Sequence, residues 1–336
     1  MENIRYKAFV VEENNMEFKN SIQILSTDNL PIGDVLIRVH YSSLNYKDAL
    51  SVIGNKGVTK NYPHTPGIDA AGVIVDSENN LFRIGDKVIV TGYDLGMNTA
   101  GGFGQYIRVP AEWVVKLPDG LSLKESMILG TAGFTAGISV LRLSELIQPL
   151  DGKIIVSGAT GGVGSVSISI LTKLGYTTVA ITSKESEYYY LQSIGSKEII
   201  SRFEFQITDK RPLLSAKYGG AIDTVGGTVL ENILKMLKPL GVVTTCGSVS
   251  STQLNTTVFP FILRGNTLIG ISAQNYLLSS RTRLWERLAD EWKPENLMDI
   301  YKEIKLEEVK EHIDLMLKGK LTGRTIVNMM DSSSDL

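Results

Sequence analysis

Cysteine and histidine are nearly missing from this chain. Its 336 residues hold one cysteine, Cys246, and three histidines, His40, His64 and His312. One thiol excludes an internal disulfide and a four-cysteine zinc site. The imidazoles stand in no metal-binding spacing, so no metal is expected. Cys246 closes the apolar run 242–246, where a buried thiol is the default and a Cys–His nucleophile pair is not expected. Charge of one sign is lacking too: the formal net charge is −2, and no basic stripe interleaves with aromatics, so no nucleic-acid partner is expected. No apolar run approaches the length of a membrane span, and the first residues have no signal-like apolar core. With the low cysteine count, these features predict a cytoplasmic protein and no membrane partner. What remains, 43% hydrophobic and 21% charged residues, is the composition of a globular chain long enough for two domains.

The most informative stretch is 153–184. The apolar run 154–156 predicts a buried parallel strand. Gly158-Ala159-Thr160-Gly161-Gly162-Val163-Gly164-Ser165 follows at once. Val166, Ile168, Ile170, Leu171 and Leu174 then make one helix face, and 177–182 is a second strand. Ala159-x-Gly161-x-x-Gly164 is a variant of the dinucleotide fingerprint. Gly161 lets the backbone approach a pyrophosphate, Gly164 lets the helix pack on the strand, and the helix N-terminus favours the phosphates. The second strand ends in Thr182-Ser183-Lys184. An NAD-binding unit usually has Asp or Glu there, whereas a lysine and a hydroxyl attract a 2′-phosphate, so the expected cofactor is NADPH. A solvated surface lysine is the plain alternative. Arg202, after the third strand, either shares the 2′-phosphate or is a surface arginine.

Residues 1–120 read as β-rich, with strands at 6–11, 35–41, 71–75, 87–91 and 106–109. Segment 43–50 leads into a helical turn, and 54–62 is a loop. Ser122-x-x-Glu125 is a capping-box pattern opening a long apolar helix. Gly130, Gly133 and Gly137 interrupt it, either for packing near the cofactor or for a tight helix contact. Parallel strands are expected at 153–158, 177–182, 198–201, 220–225, 241–246 and 267–272, with helices between them, one over 227–238. Helices over 280–292 and 307–317 follow. The last strand, 323–329, returns to the first domain, and 331–336 is a frayed tail.

Several segments together carry a resemblance: Asn45-Tyr46-Lys47-Asp48, Pro66-Gly67-Ile68-Asp69, 130–136, 158–165, Phe259-Pro260-Phe261-Ile262-Leu263-Arg264-Gly265 and Gly323-Arg324-Thr325. The chain resembles the zinc-independent branch of the medium-chain dehydrogenase/reductase superfamily. Within it, the match is to the YhdH/YhfP quinone-oxidoreductase-like family, whose characterised activity is NADPH-dependent acryloyl-CoA reduction. The resemblance implies an α/β fold: a GroES-like catalytic domain, 1–123, a doubly wound Rossmann domain, 124–295, and a C-terminal segment, 296–336, returning to the first. It also implies a homodimer paired through the last Rossmann strand. Ile68 and Asp69 stand where zinc-dependent relatives carry Gly-His-Glu.

By position, the resemblance implies cofactor contacts from Tyr46 and Thr131 at the nicotinamide end and from Thr160, Gly161, Gly162 and Val163 at the pyrophosphate. Ser183, Lys184 and Arg202 are implied at the 2′-phosphate. Ser248, Ile262 and Ala273 are implied on the nicotinamide side, and Arg324 closes the cofactor site. A conjugate reduction needs a donor at the carbonyl oxygen, for which Tyr46 and Asn45 are the candidates. The alternatives are an aromatic wall for Tyr46 and structural turn roles for Asn45 and Asp48. Lys47, Lys56 and Lys60 are candidates for the phosphates of a CoA ester. Three functions stay open: an enoyl reductase acting on acryloyl-CoA or a similar small acceptor, a quinone reductase, and an NADPH-binding sensor or RNA-binding protein.

Overall fold

The computed structural model describes residues 3–206 and 208–330. The expected tail at 331–336 lies outside them. The chain divides into two compact units, one of 1–131, 274–289 and 301–336 and the other of 132–273 and 290–300. The expected division at 123 and 295 differs chiefly at 274–289, which groups with the first unit, and at 290–300, which groups wholly with the second.

In the first unit β1 (Arg5–Asn14) and β2 (Glu17–Ser26) form a hairpin. β2 was not expected. Its side chains are mostly exposed, so it lacks the alternation that marks a half-buried strand. Its turn, Asn15 at φ 49° and Met16 at φ 66°, has the left-handed pair of a tight hairpin without the usual Asn-Gly. β3 (Val35–Ser43), α1 (Tyr46–Val52), β4 (Asp69–Ser77), β5 (Lys87–Thr91) and β6 (Tyr106–Val109) follow as expected in type, and β7 (Val114–Lys116) is an addition. α2 (Leu123–Ser144) opens on the predicted capping box: Ser122 N–H donates to Glu125 Oε2 at 2.8 Å, and Glu125 N–H to Ser122 Oγ at 3.1 Å. It is broken at Gly130 (φ 53°, ψ −157°) rather than continuous. α2 also corrects the expectation that no apolar run reaches membrane length. It is long and apolar enough to cross one, but 83% of that stretch is buried within the protein.

The second unit is the alternating region. β8 (Ile154–Ser157), α3 (Gly162–Lys173), β9 (Thr178–Thr182), α4 (Tyr188–Ser193), β10 (Glu198–Ser201), α5 (Arg202–Phe205), β11 (Tyr218–Asp223), α6 (Gly227–Met236), β12 (Leu237–Thr245), α7 (Phe259–Arg264) and β13 (Thr267–Gly270) succeed one another. Their six strands are parallel, in the order β10-β9-β8-β11-β12-β13. This is the doubly wound arrangement with its topological switch beside β8. Val166, Ile168, Ile170 and Leu171 of α3 are fully buried, as their spacing predicts. α6 ends two residues before the expected 238. β12 takes over at Leu237 and accommodates Pro239 because its pairing with β11 is irregular there, with Leu240 at φ 63°.

α8 (Leu278–Ala289), β14 (Tyr301–Lys305), α9 (Val309–Leu317) and β15 (Arg324–Asn328) complete the first unit. β15 pairs antiparallel with β3, as its predicted return requires, and parallel with the unexpected β14. The resulting sheet runs β14-β15-β3-β4-β5-β7, with β6 also on β3. Its apolar side packs Val35, Ile37, Val88, Ile107 and Val327 with Phe9 and Phe103.

Arg264 explains one family segment mechanically. Its Nη1 donates to Lys235 O and Leu237 O at 2.8 Å each, and its Nη2 to Leu214 O at 2.5 Å. One guanidinium thus serves the C-terminal end of α6 and the loop before β11. Arg264→Met is expected to destabilise the chain by about 2–3 kcal/mol, because bonds from a charged donor contribute about 1.5–3 kcal/mol each and this donor is part-exposed. A lower urea midpoint at unchanged slope checks it.

Candidate active site

In the first unit a buried polar cluster forms where β3, α1, β4, α2 and β15 begin or end. Asp69, the first residue of β4, is fully buried. Its Oδ2 accepts from Ser43 Oγ at 2.5 Å, Asn45 Nδ2 at 2.8 Å and Thr131 N–H at 2.9 Å, and its Oδ1 from Thr131 Oγ1 at 2.5 Å. Arg324 lies 3.9 Å from the same carboxylate and is only 3% exposed. Its guanidinium donates to Ile128 O (2.9 Å), Leu44 O (3.3 Å), Asn45 Oδ1 (3.4 Å) and Ser43 Oγ (2.8 Å). A second buried acid, Asp48, accepts Asn45 N–H at 2.8 Å, Gly67 N–H at 3.1 Å and Ile68 N–H at 2.9 Å. Burial and then the like charge of Asp69 push its carboxyl up to about 7, against the three amides that pull it down.

This geometry bears on three of the residues singled out in the sequence. Asn45 is not poised as a donor: both amide hydrogens are committed, to Asp69 and to Ser43 O at 3.2 Å. Arg324 points into the cluster, where its guanidinium hydrogens are spent on Ile128 O, Leu44 O, Asn45 Oδ1 and Ser43 Oγ. Asp48 takes the structural alternative, fixing the first turn of α1. Tyr46, by contrast, is 46% exposed at the start of α1. Of the three lysines, Lys47 donates to Gln274 Oε1 at 2.6 Å, and Lys56 pairs with Glu13 at 2.6 Å over the Tyr62 ring. Lys60 is exposed. The sequence reading quoted Asp69 but missed its role as the hub. A lone acid opening an apolar strand was the available signal.

In the second unit Gly158 (φ 58°), Ala159, Thr160 and Gly161 turn the chain from β8 into α3. A Cβ on Gly164 would run into Gly158 O, so the glycine permits the close helix approach that its spacing predicts. The first helical bond is Ser165 N–H to Gly161 O, which leaves Gly162, Val163 and Gly164 N–H without helical acceptors. Ser183 and Lys184 follow β9. Arg202 follows β10, and Ser201 and Thr182 are register partners, so these residues meet at one carboxyl edge. Burial lowers the Lys184 ammonium from its usual value while Glu187 raises it. Ser248 lies after β12 and Ala273 after β13, whereas Ile262 is 67% exposed on α7.

Beneath these loops Asp223 ends β11. It accepts Ser157 Oγ at 2.7 Å, Thr245 Oγ1 at 2.9 Å and Gly226 N–H at 3.0 Å. It ties three neighbouring strand ends together, and burial pushes its carboxyl up. Burial, and Asp223 second, also push the Cys246 thiol up to about 12.

The glycine cradle and cationic strand ends fit a dinucleotide phosphate; a zinc ion does not fit. Among the described residues no group of three His, Cys, Asp or Glu is placed to hold a metal. The single thiol stands apart from any second ligand, and the Asp69 carboxylate already accepts four hydrogen bonds.

The alcohol dehydrogenase GroES-like domain family matches residues 31–119, and the family described as zinc-binding dehydrogenase matches 162–290. The probable acrylyl-CoA reductase AcuI of Escherichia coli is 40% identical over 324 residues, 96% of this chain and 99% of that one. The putative quinone oxidoreductase YhfP of Bacillus subtilis is 39% identical over 326 residues, again 96% and 99%. The chain belongs to the YhdH/YhfP quinone oxidoreductase-like family of medium-chain dehydrogenases. The YhdH oxidoreductase of Salmonella enterica, crystallised with NADP, matches at a TM-score of 0.94 and 40% identity, covering 96% of this chain and 100% of that one. The YhfP crystal structure, with NAD bound, matches at 0.94 over 97% and 99%. The GroES-like and Rossmann expectation is thereby met at the level of the family.

Two outcomes follow from the acidic cluster. A Cβ at Gly130 would stand 2.5 Å from Ser43 Oγ, 2.6 Å from Asp69 Oδ2 and 2.8 Å from Arg324 Nη2, at a positive φ. Gly130→Ala is therefore expected to cost about 3 kcal/mol, from strain and overpacking at about 1–3 kcal/mol each, read as a fall in melting temperature. The second outcome concerns pH. The folded Asp48 carboxyl titrates above its unfolded value of about 3.9, so its stabilising proton is fully present below about pH 4 and lost as pH rises to about 7. Denaturant stability should decline across that window and level off above it, and Asp48→Asn should flatten the decline.

Proposed function

We propose that this chain is an NADPH-dependent reductase of the activated double bond in acryloyl-CoA-type thioesters. The observation that carries the reading is the nearly full-length likeness to AcuI. The Thr182-Ser183-Lys184 strand end, with Arg202 beside it, supports NADPH over NADH, because cations there attract a 2′-phosphate and an acid would repel it. NADPH supplies a hydride to the β-carbon of the acceptor. The amides of Gly162 and Val163, with Thr160 and Gly161, hold the pyrophosphate at the α3 N-terminus. Ser183, Lys184 and Arg202 hold the 2′-phosphate. Thr131, with its hydroxyl proton directed to Asp69, presents an oxygen to the carboxamide. Ser248, Ile262 and Ala273 line the nicotinamide side.

Negative charge develops on the thioester oxygen as the double bond is reduced, and a positioned donor lowers that barrier. The Tyr46 hydroxyl is that donor, and it orients or delivers the proton that ends on the α-carbon. Asn45 supports it structurally. Quinone reduction is the second reading, favoured by the name of YhfP. The homodimer pairs through β13, an edge strand of the six-stranded sheet.

The test is NADPH oxidation at ~340 nm with acryloyl-CoA and, separately, a soluble quinone. Faster turnover with acryloyl-CoA is expected. A quinone preference overturns the acceptor, and no turnover despite tight NADPH binding favours a sensor. Lys184→Asp should weaken NADPH binding about tenfold or more and NADH binding little, since one ionic contact to a phosphate is worth about 1.5–3 kcal/mol. Fluorescence titration with each nucleotide measures both.

A further inference from the structure

We infer that Asp48 is a positioning residue for Tyr46: its carboxylate ties the start of α1 to the 66–68 loop and so sets where the Tyr46 hydroxyl stands. The inference rests on the reading of Tyr46 as donor given above. Tyr46 is the first residue of α1, which has only seven residues. The direction of so short a helix depends on what holds its first turn. Asp48 Oδ2 takes the N–H of Asn45, the residue immediately before Tyr46, and Asp48 Oδ1 takes the Gly67 and Ile68 amides.

The 66–68 loop is a firm anchor. Gly67 sits at φ +110°, and a Cβ there would lie 2.5 Å from Phe103 N and 2.7 Å from Gly102 N. Its carbonyl accepts Gly102 N–H at 2.8 Å, and Pro66 O accepts Phe103 N–H at 3.0 Å. Asn45 is held a second time through its side chain by Asp69. The backbone beside Tyr46 is therefore fixed from two acids, with Arg324 as their buried counter-charge and Lys47 next along the helix. A neutral Asp48 keeps at most part of this arrangement, because a protonated carboxyl oxygen accepts poorly from a facing N–H and an amide nitrogen does not accept at all.

The test is a double-mutant cycle on the full chain, with NADPH and whichever of acryloyl-CoA or quinone the wild type reduces. Asp48→Asn is expected to lower kcat about tenfold or more, as small misplacements of catalytic groups do, while NADPH affinity stays within about twofold. In a Tyr46→Phe background the same substitution should change kcat less than about twofold. Fully additive losses, or an NADPH affinity that falls in step with kcat, overturn the inference alone. A wild type that reduces neither acceptor overturns the reading of Tyr46 and the inference with it. A second measurement needs neither cofactor nor a folded variant. In the wild-type chain without nucleotide, NMR signals of the Tyr46 ring should shift with pH together with those of the Asp48 carboxyl. A Tyr46 ring that does not respond as Asp48 titrates overturns the proposal.

Discussion

One buried carboxylate, Asp69, holds the first unit's polar centre together. Ser43 and Asn45, Thr131, and Arg324 come from three separated stretches of chain, and each residue spends a polar group on Asp69 or on its immediate partners. A charge removed from water is tolerated only when its oxygens are saturated with donors and a counter-charge stands near. Arg324 supplies the charge, and the side chains and the Thr131 amide supply the donors. The break in α2 follows from the same requirement. Gly130 sits so close to Ser43, Asp69 and Arg324 that a side chain there would collide with all three.

The second unit meets a similar requirement with different parts. The oxygens of Asp223 are saturated by Ser157, Thr245 and the amide of Gly226. These partners belong to the ends of β8 and β12 and to the turn after β11. The loops that follow β8 and β12 therefore leave from strand ends of fixed height. Ser157 belongs to both layers of this arrangement, since its hydroxyl donates to Asp223 and accepts the Thr224 amide at 2.9 Å.

Much of this was legible in the sequence, for physical reasons. The parallel sheet was readable because fully buried strands are continuous apolar runs and its phosphate turn needs glycine. The capping box at Ser122 and the return of β15 to β3 were readable from local pattern. β2 and β14 were not, because exposed or edge strands carry little hydrophobic periodicity. The site divided along the same line. Lys184 and Arg202 could be placed because strand ends fix them by register. The partners of Asn45 and Arg324 could not be read, because a polar side chain's direction depends on groups distant in sequence, and no spacing rule reports on them. Asp48 could be weighed as structural because a capping role is local.

The burial of Cys246 beside Asp223 has a consequence for its reactivity. Electrophiles alkylate thiolates far faster than thiols, so the ionisation of a cysteine sets how readily it is modified. Here the single cysteine is pushed up to about 12 by burial beside Asp223, and at neutral pH it offers almost no thiolate to attack. The scarcity of cysteine and the desolvation of the one that remains leave this chain with little thiolate to offer any electrophile.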